Sequence, residues 1–341
     1  MISLDEKRLG SLCKQGLKAK DLSAWFRLVC KKKVLSQKDI LSIDSLTDQD
    51  INTILETAWL FKHVVLGQVG KKKLDLLKGF STINFFCEDS TRTRSSFELA
   101  GKHLGADTIN ISGDSSSMKK KGETLNDTAR TLDQMHPDCI IVRDKHALAP
   151  AMIAREVKAP VINAGDGWHE HPTQALLDVL TMLEEFGTLK GKTMAIVGDI
   201  LHSRVAGSLL RIGKRLGMKL RVVAPPTLLP VGVEKVFNAR VYSAMDEGIK
   251  GVDIAYLLRI QLERAAAAYI PSVRDYSKLY CMNRARLPLL APGAIIMHAG
   301  PINREVDLST EVMEGKQSRV EQQVQNGLAV RMALLYILIK P

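Results

Sequence analysis

Short apolar runs alternate with amphipathic, helix-like stretches from residue 79 onward. A strand of a parallel sheet is buried on both faces, so it shows a nearly continuous apolar run instead of strict alternation. The pattern predicts strands in FSTINFFCE, DTINIS, DCIIVRD, PVINAG, KTMAIVGD, KLRVVAP, ARVYS, DIAYLL and AIIMHAG. Helices are predicted between and after them, most clearly in SSFELAGKHLG, GETLNDTARTLDQM, APAMIAREV, HPTQALLDVLTMLEEFG and VEQQVQNGLAVRMALLYIL.

This alternation predicts an α/β protein with two doubly wound parallel-sheet domains linked by interdomain helices. A chain of 341 residues is longer than a single hydrophobic core usually supports, and its length fits two domains. We expect an N-terminal extension at 1–36, a first domain at 37–168 and a second at 169–318, with a C-terminal helix at 319–341 that packs back on the first domain. Ligands in such folds bind at the carboxyl ends of the strands, so functional residues are expected there.

The composition indicates a cytoplasmic protein. Hydrophobic and charged fractions of 45% and 25% are ordinary for a globular chain, and no apolar run approaches the length of a membrane span. The N-terminal residues lack the apolar core of a secretory signal. Five cysteines lie scattered without CxxC spacing, which argues against a disulfide framework and against a zinc site.

The net charge of +11 is concentrated in the N-terminal extension. Residues 1–33 carry nine Lys or Arg and three Asp or Glu, so this segment alone supplies +6. Two interpretations of the basic extension stay open, a solvated tail and a segment that binds a partner or an acidic surface. A nucleic-acid-binding function is the weakest of the options, because an enzyme of anionic substrates has the same charge.

The segment FFCEDSTRTRSSFELAG at 85–101 is the clearest candidate for chemistry. Ser90 follows a predicted strand and can cap the coming helix, whose free N–H groups then face an anion together with threonine hydroxyls and an arginine. Arginine in a first helical turn is unfavourable unless an anion occupies the site. Arg92 and Arg94 are two residues apart and do not share a helix face, so we expect them to do different jobs. A polar loop with surface arginines is the alternative interpretation.

The sequence gives no support for a cofactor. GxxxxGK[ST] is absent, and VGDILHSR does not match the GxGxxG fingerprint of dinucleotide binding. We therefore expect no cofactor and no metal.

Several separated motifs together resemble the transcarbamoylase family. The resemblance rests on STRTR at 90–94, KKGETLNDT at 120–128, HPTQALLD at 171–178, LRIQLER at 258–264 and HAGPINREVDL at 298–308. It extends in order and spacing from about residue 37 to the C-terminus. The KKGETL and RIQLER segments are similar to the aspartate-specific branch of the family. The SMG substrate loop typical of the ornithine-specific branch is not evident in the second half of the chain.

The resemblance implies a set of carbamoyl-phosphate-binding residues. Phosphate would be held by Ser90, Thr91, Arg92 and Thr93, and the carbamoyl oxygen would be polarised by Arg143 and His171. Gln174 would orient the carbamoyl amide, and its three-residue spacing from His171 independently places both on one helix face. Ser117 and Lys121 would reach the site of a neighbouring subunit. Backbone groups of Ala299 and Gly300 would contact the carbamoyl amide.

The resemblance also implies aspartate-binding and domain-closure residues. The substrate carboxylates would meet Lys121, Arg204, Arg259 and Gln261, and arginine suits this role because its planar fork binds a carboxylate bidentately. Glu88 would bridge to an arginine of the second domain on closure, with Arg204 or Arg264 as its partner.

Two positions depart from the family pattern. Ala299 stands where the family has a proline, which frees a φ angle and is expected to hold the carbamoyl amide less rigidly. An alanine run at 265–268 removes charge from the segment after the aspartate-binding arginine.

The implied activity is carbamoyl transfer from carbamoyl phosphate to L-aspartate, in pyrimidine biosynthesis, by a homotrimer with sites shared between subunits. The resemblance leaves open a larger assembly with a regulatory chain or a dihydroorotase-like partner. No membrane and no nucleic acid is expected as a partner. Two alternatives stay open, a carbamoyltransferase for another amino acid such as ornithine and a non-catalytic binding subunit on the same fold.

Overall fold

Two parallel sheets form the framework of the protein, within the residues that the computed structural model describes, namely 2, 6–17, 22–30, 34–68, 73–112, 122–261 and 269–339. Each sheet belongs to one of two compact units. The first unit contains Met1–Gly187 and Gln325–Pro341, and the second contains Thr188–Val324. The predicted α/β class with two parallel-sheet domains is confirmed.

The sheet of the first unit is four-stranded and has the order β2-β1-β3-β4. Its strands are β1 Ser81–Phe86, β2 Asp107–Ser112, β3 Cys139–Asp144 and β4 Val161–Asp166. The chain winds outward from β1 to β2 and then returns to β3 on the other side of β1. The strand order therefore reverses between β1 and β3, and such a switch point opens a crevice at the carboxyl ends of the strands.

Helices precede, connect and cover these strands. They are α1 Glu6–Leu17, α2 Leu22–Cys30, α3 Asp48–Val65, α4 Thr91–Leu104, α5 Leu125–Asp133, α6 Ala149–Glu156 and α7 Pro172–Phe186. Apolar side chains of the sheet, such as Phe85 and Val142, are completely buried against α5 and α6. The buried strands thus match the continuous apolar runs from which they were predicted.

Helix α4 begins and ends where the sequence predicts. The hydroxyl of Ser90 accepts a hydrogen bond from Thr93 N at 3.3 Å, which satisfies one of the free N–H groups of the first turn. Gly105 ends the helix with φ +88°, a left-handed conformation that glycine adopts without steric cost. A β-carbon there would also lie 2.9 Å from Leu74 O, so the close approach of the two segments depends on glycine.

The N-terminal extension packs on helix α3 in its described part, so of the two open interpretations a solvated tail does not fit there. Helices α1 and α2 pack on the first unit, where Phe26 is 1% exposed and stacks on Phe61 of α3 with ring centroids 4.8 Å apart. Arg8 forms an ion pair with Glu56 at 2.7 Å. A buried aromatic side chain supplies the apolar area that the basic composition of the segment concealed.

The second unit has a five-stranded parallel sheet with the order β7-β6-β5-β8-β9. The strands are β5 Thr193–Val197, β6 Lys219–Val223, β7 Arg240–Tyr242, β8 Ile254–Leu257 and β9 Ile295–His298. The helices are α8 Arg204–Arg215, α9 Val233–Phe237, α10 Met245–Ile249, α11 Val273–Tyr280 and α12 Thr310–Met313, with 3₁₀ turns at Pro226–Leu228 and Arg284–Leu289. Here the order reverses between β5 and β8, which gives the second unit its own switch point.

The last helix, α13 (Val320–Ile339), continues into residues that belong to the first unit. There Tyr336 meets Phe61 edge-on with ring centroids 5.8 Å apart. Helix α7 also belongs to the first unit, so the structural division after Gly187 lies beyond the predicted one at residue 168.

Within the described ranges, no helix combines the length and apolar character needed to cross a membrane.

Candidate active site

The first cluster of candidate residues lies at the switch point of the first unit. The first turn of α4 follows the carboxyl end of β1 after a short connection, and it carries Thr91, Arg92 and Thr93. Thr93 is buried, whereas the side chains of Thr91 and Arg92 are exposed at the helix end. Backbone N–H groups, hydroxyls and a guanidinium therefore lie at one helix N-terminus, an arrangement that binds phosphate.

Arg94 has a different environment from Arg92, as expected from their spacing. Its positive charge helps to lower the pKa of Glu98, one turn further along α4, after the larger effects of hydrogen bonds from Lys102 and Asn110. The side chain thus acts along the helix surface. The charge of Arg92 instead acts on the buried guanidinium of Arg331, so the two arginines have different neighbours.

Arg143 lies at the carboxyl end of β3 beside the end of β1. Arg143 pairs with Phe86 in the sheet, and the backbone carbonyl of Arg143 accepts a hydrogen bond from Cys87 N at 2.8 Å. The guanidinium donates to Ala164 O of β4 and to Glu88 Oε1, both at 3.2 Å. The guanidinium is thereby held at the same edge of the sheet as the phosphate-binding turn.

The partner of Glu88 in this structure is Arg143, within the first unit. The side chains are 17% and 14% exposed, so the pair is largely shielded from water. The predicted closure partners were Arg204 and Arg264. Arg264 lies outside the described residues, and the closure contact of Glu88 stays a prediction.

His171 and Gln174 begin helix α7, which follows β4. His171 occupies the N-cap position, and its carbonyl accepts a hydrogen bond from Gln174 N at 3.0 Å. Their side chains are 4% and 8% exposed, which is low for polar groups. The hydroxyl of Thr173 lies 3.4 Å from His171 Nδ1. Because β4 neighbours β3 in the parallel sheet, His171 and Gln174 follow a strand that ends at the same edge as the strand of Arg143.

A further arginine, Arg331, is buried near this cluster and was not predicted from the sequence. Arg331 of α13 is 5% exposed, donates to Ser96 Oγ at 2.8 Å and lies 5.2 Å from the ring centroid of Phe97. Burial, together with the positive charges of Arg143 and Arg92, lowers the pKa of its guanidinium to about 10. Arg331 therefore adds positive potential to the anion-binding edge without being exposed there.

The second cluster lies at the switch point of the second unit. After β5, Asp199 and His202 form a buried pair with Asp199 Oδ1 2.9 Å from His202 Nδ1. Burial raises the pKa of Asp199, although contacts with His202 oppose the rise. Ser203 caps α8 by accepting a hydrogen bond from Ala206 N at 3.2 Å, which places the buried Arg204 in the first turn.

The segment after β8 meets the segment after β5. Gln261 Nε2 donates to His202 O at 3.1 Å, so the RIQ and HSR motifs lie side by side at the carboxyl ends of adjacent strands. Arg259 lies between β8 and Gln261 and is half-buried. The structure thus brings together the three residues that were predicted to bind the substrate carboxylates from this unit, namely Arg204, Arg259 and Gln261.

The HAGP segment after β9 is tied to the same edge through His298 and Asp307, which sequence reasoning missed. His298 Nδ1 accepts a hydrogen bond from Gly300 N at 2.7 Å, and His298 Nε2 lies 3.5 Å from Asp307 Oδ2. Asp307 Oδ1 in turn accepts from Ile260 N at 3.3 Å. Both buried side chains therefore fix the backbone on which the predicted contacts of Ala299 and Gly300 depend.

Some predicted features fall where the structure gives no description. Ser117, Lys121, Arg264 and the alanine run at 265–268 all lie outside the described residues. Their predicted roles stay predictions.

Family models match both units of the chain. The carbamoyl-phosphate-binding domain of aspartate/ornithine carbamoyltransferases matches residues 38–184, and the aspartate/ornithine-binding domain matches residues 190–338. The chain belongs to the aspartate/ornithine carbamoyltransferase family. The matched ranges correspond to the two structural units, apart from the N-terminal extension and the return of α13 to the first unit.

Relatives within the family are similar in sequence to this chain over nearly their whole length. The aspartate carbamoyltransferase catalytic subunit of Geobacter sulfurreducens is 49% identical over 88% of this chain and 95% of its own length. That of Acidiphilium cryptum is 48% identical over 90% and 97%. Nearly the whole of each relative is thus matched.

Solved structures of the family have the same fold. Aspartate transcarbamoylase from Trypanosoma cruzi in complex with carbamoyl phosphate superposes with a TM-score of 0.79 at 33% identity, covering 89% of this chain and 96% of its own. Ornithine carbamoyltransferase from Thermus thermophilus gives 0.77 at 29% identity, covering 89% and 99%. The fold is therefore common to both branches, and the substrate has to be argued from the side chains.

Proposed function

We propose that the chain is the catalytic subunit of an aspartate carbamoyltransferase, which transfers the carbamoyl group of carbamoyl phosphate to L-aspartate. The products are N-carbamoyl-L-aspartate and phosphate, in pyrimidine biosynthesis. One observation carries the proposal, namely that arginine-bearing segments occupy the switch points of both sheets in a chain about half identical to catalytic subunits of this name.

The first unit supplies an anion site and groups for the carbamoyl moiety. The turn of Ser90, Thr91, Arg92 and Thr93 would hold the phosphate. Arg143 and His171 would donate hydrogen bonds to the carbamoyl oxygen, on which negative charge develops as the amine attacks. Attack of the amine nitrogen forms a C–N bond, the C–O bond to phosphate breaks, and the amine proton leaves with the phosphate. Such catalysis by positioning and preorganised charge needs no covalent enzyme intermediate.

The second unit favours a dicarboxylate over a diamine. Arg204 and Arg259 stand at its switch point together with the Gln261 amide. An ammonium side chain would require a carboxylate there, and the one that follows β5, Asp199, is completely buried and bound to His202. Cationic groups at such a position would repel ornithine and attract aspartate.

The assay that tests the function is product formation by the purified chain from carbamoyl phosphate with either L-aspartate or L-ornithine. We expect turnover with aspartate and a kcat/KM at least ~10³-fold lower with ornithine, because a mismatched charge in a built site is rejected strongly. Preferential turnover of ornithine would assign the chain to the other branch of the family. Binding of carbamoyl phosphate without turnover of either amine would instead indicate the non-catalytic subunit.

We also propose that the active form is a homotrimer in which Ser117 and Lys121 complete the site of a neighbouring subunit. The support is the family resemblance of their segment and the cationic character of the site that they would join. The prediction is a species of three times the 37.7 kDa chain mass in sedimentation, together with complementation between two inactive variants.

In the complementation experiment, Lys121→Ala and Arg92→Ala chains are mixed after reversible dissociation. Hybrid trimers contain some sites with neither substitution, so activity should return to roughly a quarter to a third of wild type, whereas each variant alone stays inactive. A monomer in sedimentation, or a mixture that stays inactive although hybrids form, would contradict shared sites.

A further inference from the structure

Gln174 contacts a buried carboxylate, that of Asp178, which has no role in the proposed reaction. Its Nε2 lies 3.0 Å from Asp178 Oδ1, one helical turn further along α7. Asp178 is completely buried. A buried carboxylate on the interior face of a helix is costly, so it requires a reason.

The chemistry of the pair determines the orientation of the glutamine amide. An ionised carboxylate only accepts hydrogen bonds, so the group that Gln174 turns toward Asp178 must be its NH₂. The amide oxygen is then the atom left for a ligand. In the part of the chain that the structure describes, no group donates to Gln174 Oε1.

Arg331 is a buried cation that interacts with Asp178. Asp178 acts on the buried guanidinium of Arg331 by raising its pKa, against the lowering by burial and by the neighbouring arginines. The guanidinium thus interacts electrostatically with the Asp178 carboxyl group inside the first unit. The guanidinium is anchored at the same time to Ser96 of α4.

We propose that Asp178 is a positioning residue that locks the Gln174 amide with its oxygen toward the substrate, so that the site selects an acyl phosphate carrying an NH₂ group. The inference rests on the proposed function and adds the basis of donor specificity to it. A carbamoyl group donates an N–H to the amide oxygen, whereas an acetyl group presents a methyl there and leaves the oxygen without a donor. An unfixed amide would rotate and lose this preference.

The measurement is the affinity of the purified full-length chain for three ligands that share the phosphate. They are carbamoyl phosphate, acetyl phosphate and inorganic phosphate, the last two measured as competitive inhibitors. For the wild type we expect carbamoyl phosphate to bind at least ~10-fold more tightly than acetyl phosphate, the scale of one hydrogen bond to a group that is otherwise left unsatisfied. A ratio near one would overturn the proposal without any variant.

Asp178→Asn is the variant that separates positioning from a purely structural role. Asparagine has the same shape but both donates and accepts, so it no longer dictates which end of the Gln174 amide faces outward. The preference for carbamoyl over acetyl phosphate should fall about tenfold, and inhibition by inorganic phosphate should not change. Equal weakening of all three ligands would mean that the substitution merely loosens the fold, and the proposal would be lost.

Two further variants complete the design. Thr181→Val is the matched control, because Thr181 is completely buried one turn further along α7 and bonds Asn326 instead of Gln174. It should leave the ratio of affinities unchanged. If Asp178→Asn does not fold, Asp178→Ser carries the same expectation with less volume to accommodate.

In a Gln174→Ala background, Asp178→Asn should have no additional effect on the ratio, since the residue acts only through that amide. An additive effect would contradict the proposal. The two hypotheses fail separately. If the wild type forms carbamoyl-aspartate and the Asp178→Asn variant keeps the donor preference, only the positioning role is refuted. If the wild type turns over no amine, the proposed function is refuted.

Discussion

Replacement of Arg92 by alanine is expected to lower kcat/KM for carbamoyl phosphate by about 10³-fold. The loss combines a charge-assisted hydrogen bond to the dianion with the stabilisation of charge on the departing phosphate, and deletion of one such donor typically costs 10²–10³-fold in kcat. The Arg92 side chain is exposed at the end of α4, so its removal should leave the melting temperature almost unchanged. Steady-state kinetics with varied carbamoyl phosphate, beside thermal melting, measure both.

Arg94→Ala is the matched control for this experiment. It removes the same charge from the same helical turn, but the side chain acts on Glu98 along the surface of α4. Its kcat/KM should stay within about threefold of wild type, the scale of one surface charge pair. Equal losses in the two variants would show that only the general positive potential matters, and a loss below tenfold for Arg92→Ala would contradict the phosphate-binding role of this turn.

Arg259→Ala should raise the KM for aspartate by about 10²-fold or more while leaving the affinity for carbamoyl phosphate unchanged. The reason is that Arg259 follows β8 in the second unit, whereas the groups proposed for carbamoyl phosphate other than the HAGP backbone lie in the first. A bidentate guanidinium–carboxylate pair supplies two parallel hydrogen bonds, which makes its loss expensive. The check is initial-rate kinetics with each substrate varied in turn.

Two comparison variants sharpen this second experiment. Arg259→Lys keeps the charge but not the planar fork, so it should recover only part of the lost affinity for aspartate. Arg284→Ala removes a guanidinium in the same unit that is 79% exposed and paired with Glu311, and it should change nothing measurable. If Arg259→Ala weakened the two substrates equally, the assignment of Arg259 to aspartate would be wrong.

The local features of the fold were accessible from the sequence. The buried strands of both sheets were readable as continuous apolar runs, and the ends of α4 were marked by Ser90 and Gly105. The reason is that these signals depend on neighbours within a few residues, such as the bond from Thr93 N to the Ser90 hydroxyl. Clustering of candidate residues after strands also followed, since parallel strands place their carboxyl ends at one edge.

Features that depend on distant pairs were not accessible. The partners Arg331 and Ser96 are separated by 235 positions, and no periodicity connects them. His298 and Asp307 are near in sequence, but their pairing depends on the path of the loop between them and not on a helical or strand repeat. The packing of α2 was likewise hidden, because a basic segment with one well-placed phenylalanine resembles a solvated one until its partner Phe61 is known.

The return of α13 to the first unit has a consequence for biosynthesis of the chain. The ribosome completes residues 1–187 long before it reaches Arg331, and the whole second unit is made in between. Until then Ser96 and Phe97 lack the guanidinium that contacts them in the folded protein, and Thr181 lacks the amide of Asn326. Domains usually fold in order during translation, but here the first unit is complete only after the last helix has been synthesised. A nascent chain paused within the second unit would therefore carry an anion-binding edge whose buried supporting charge has not yet been made.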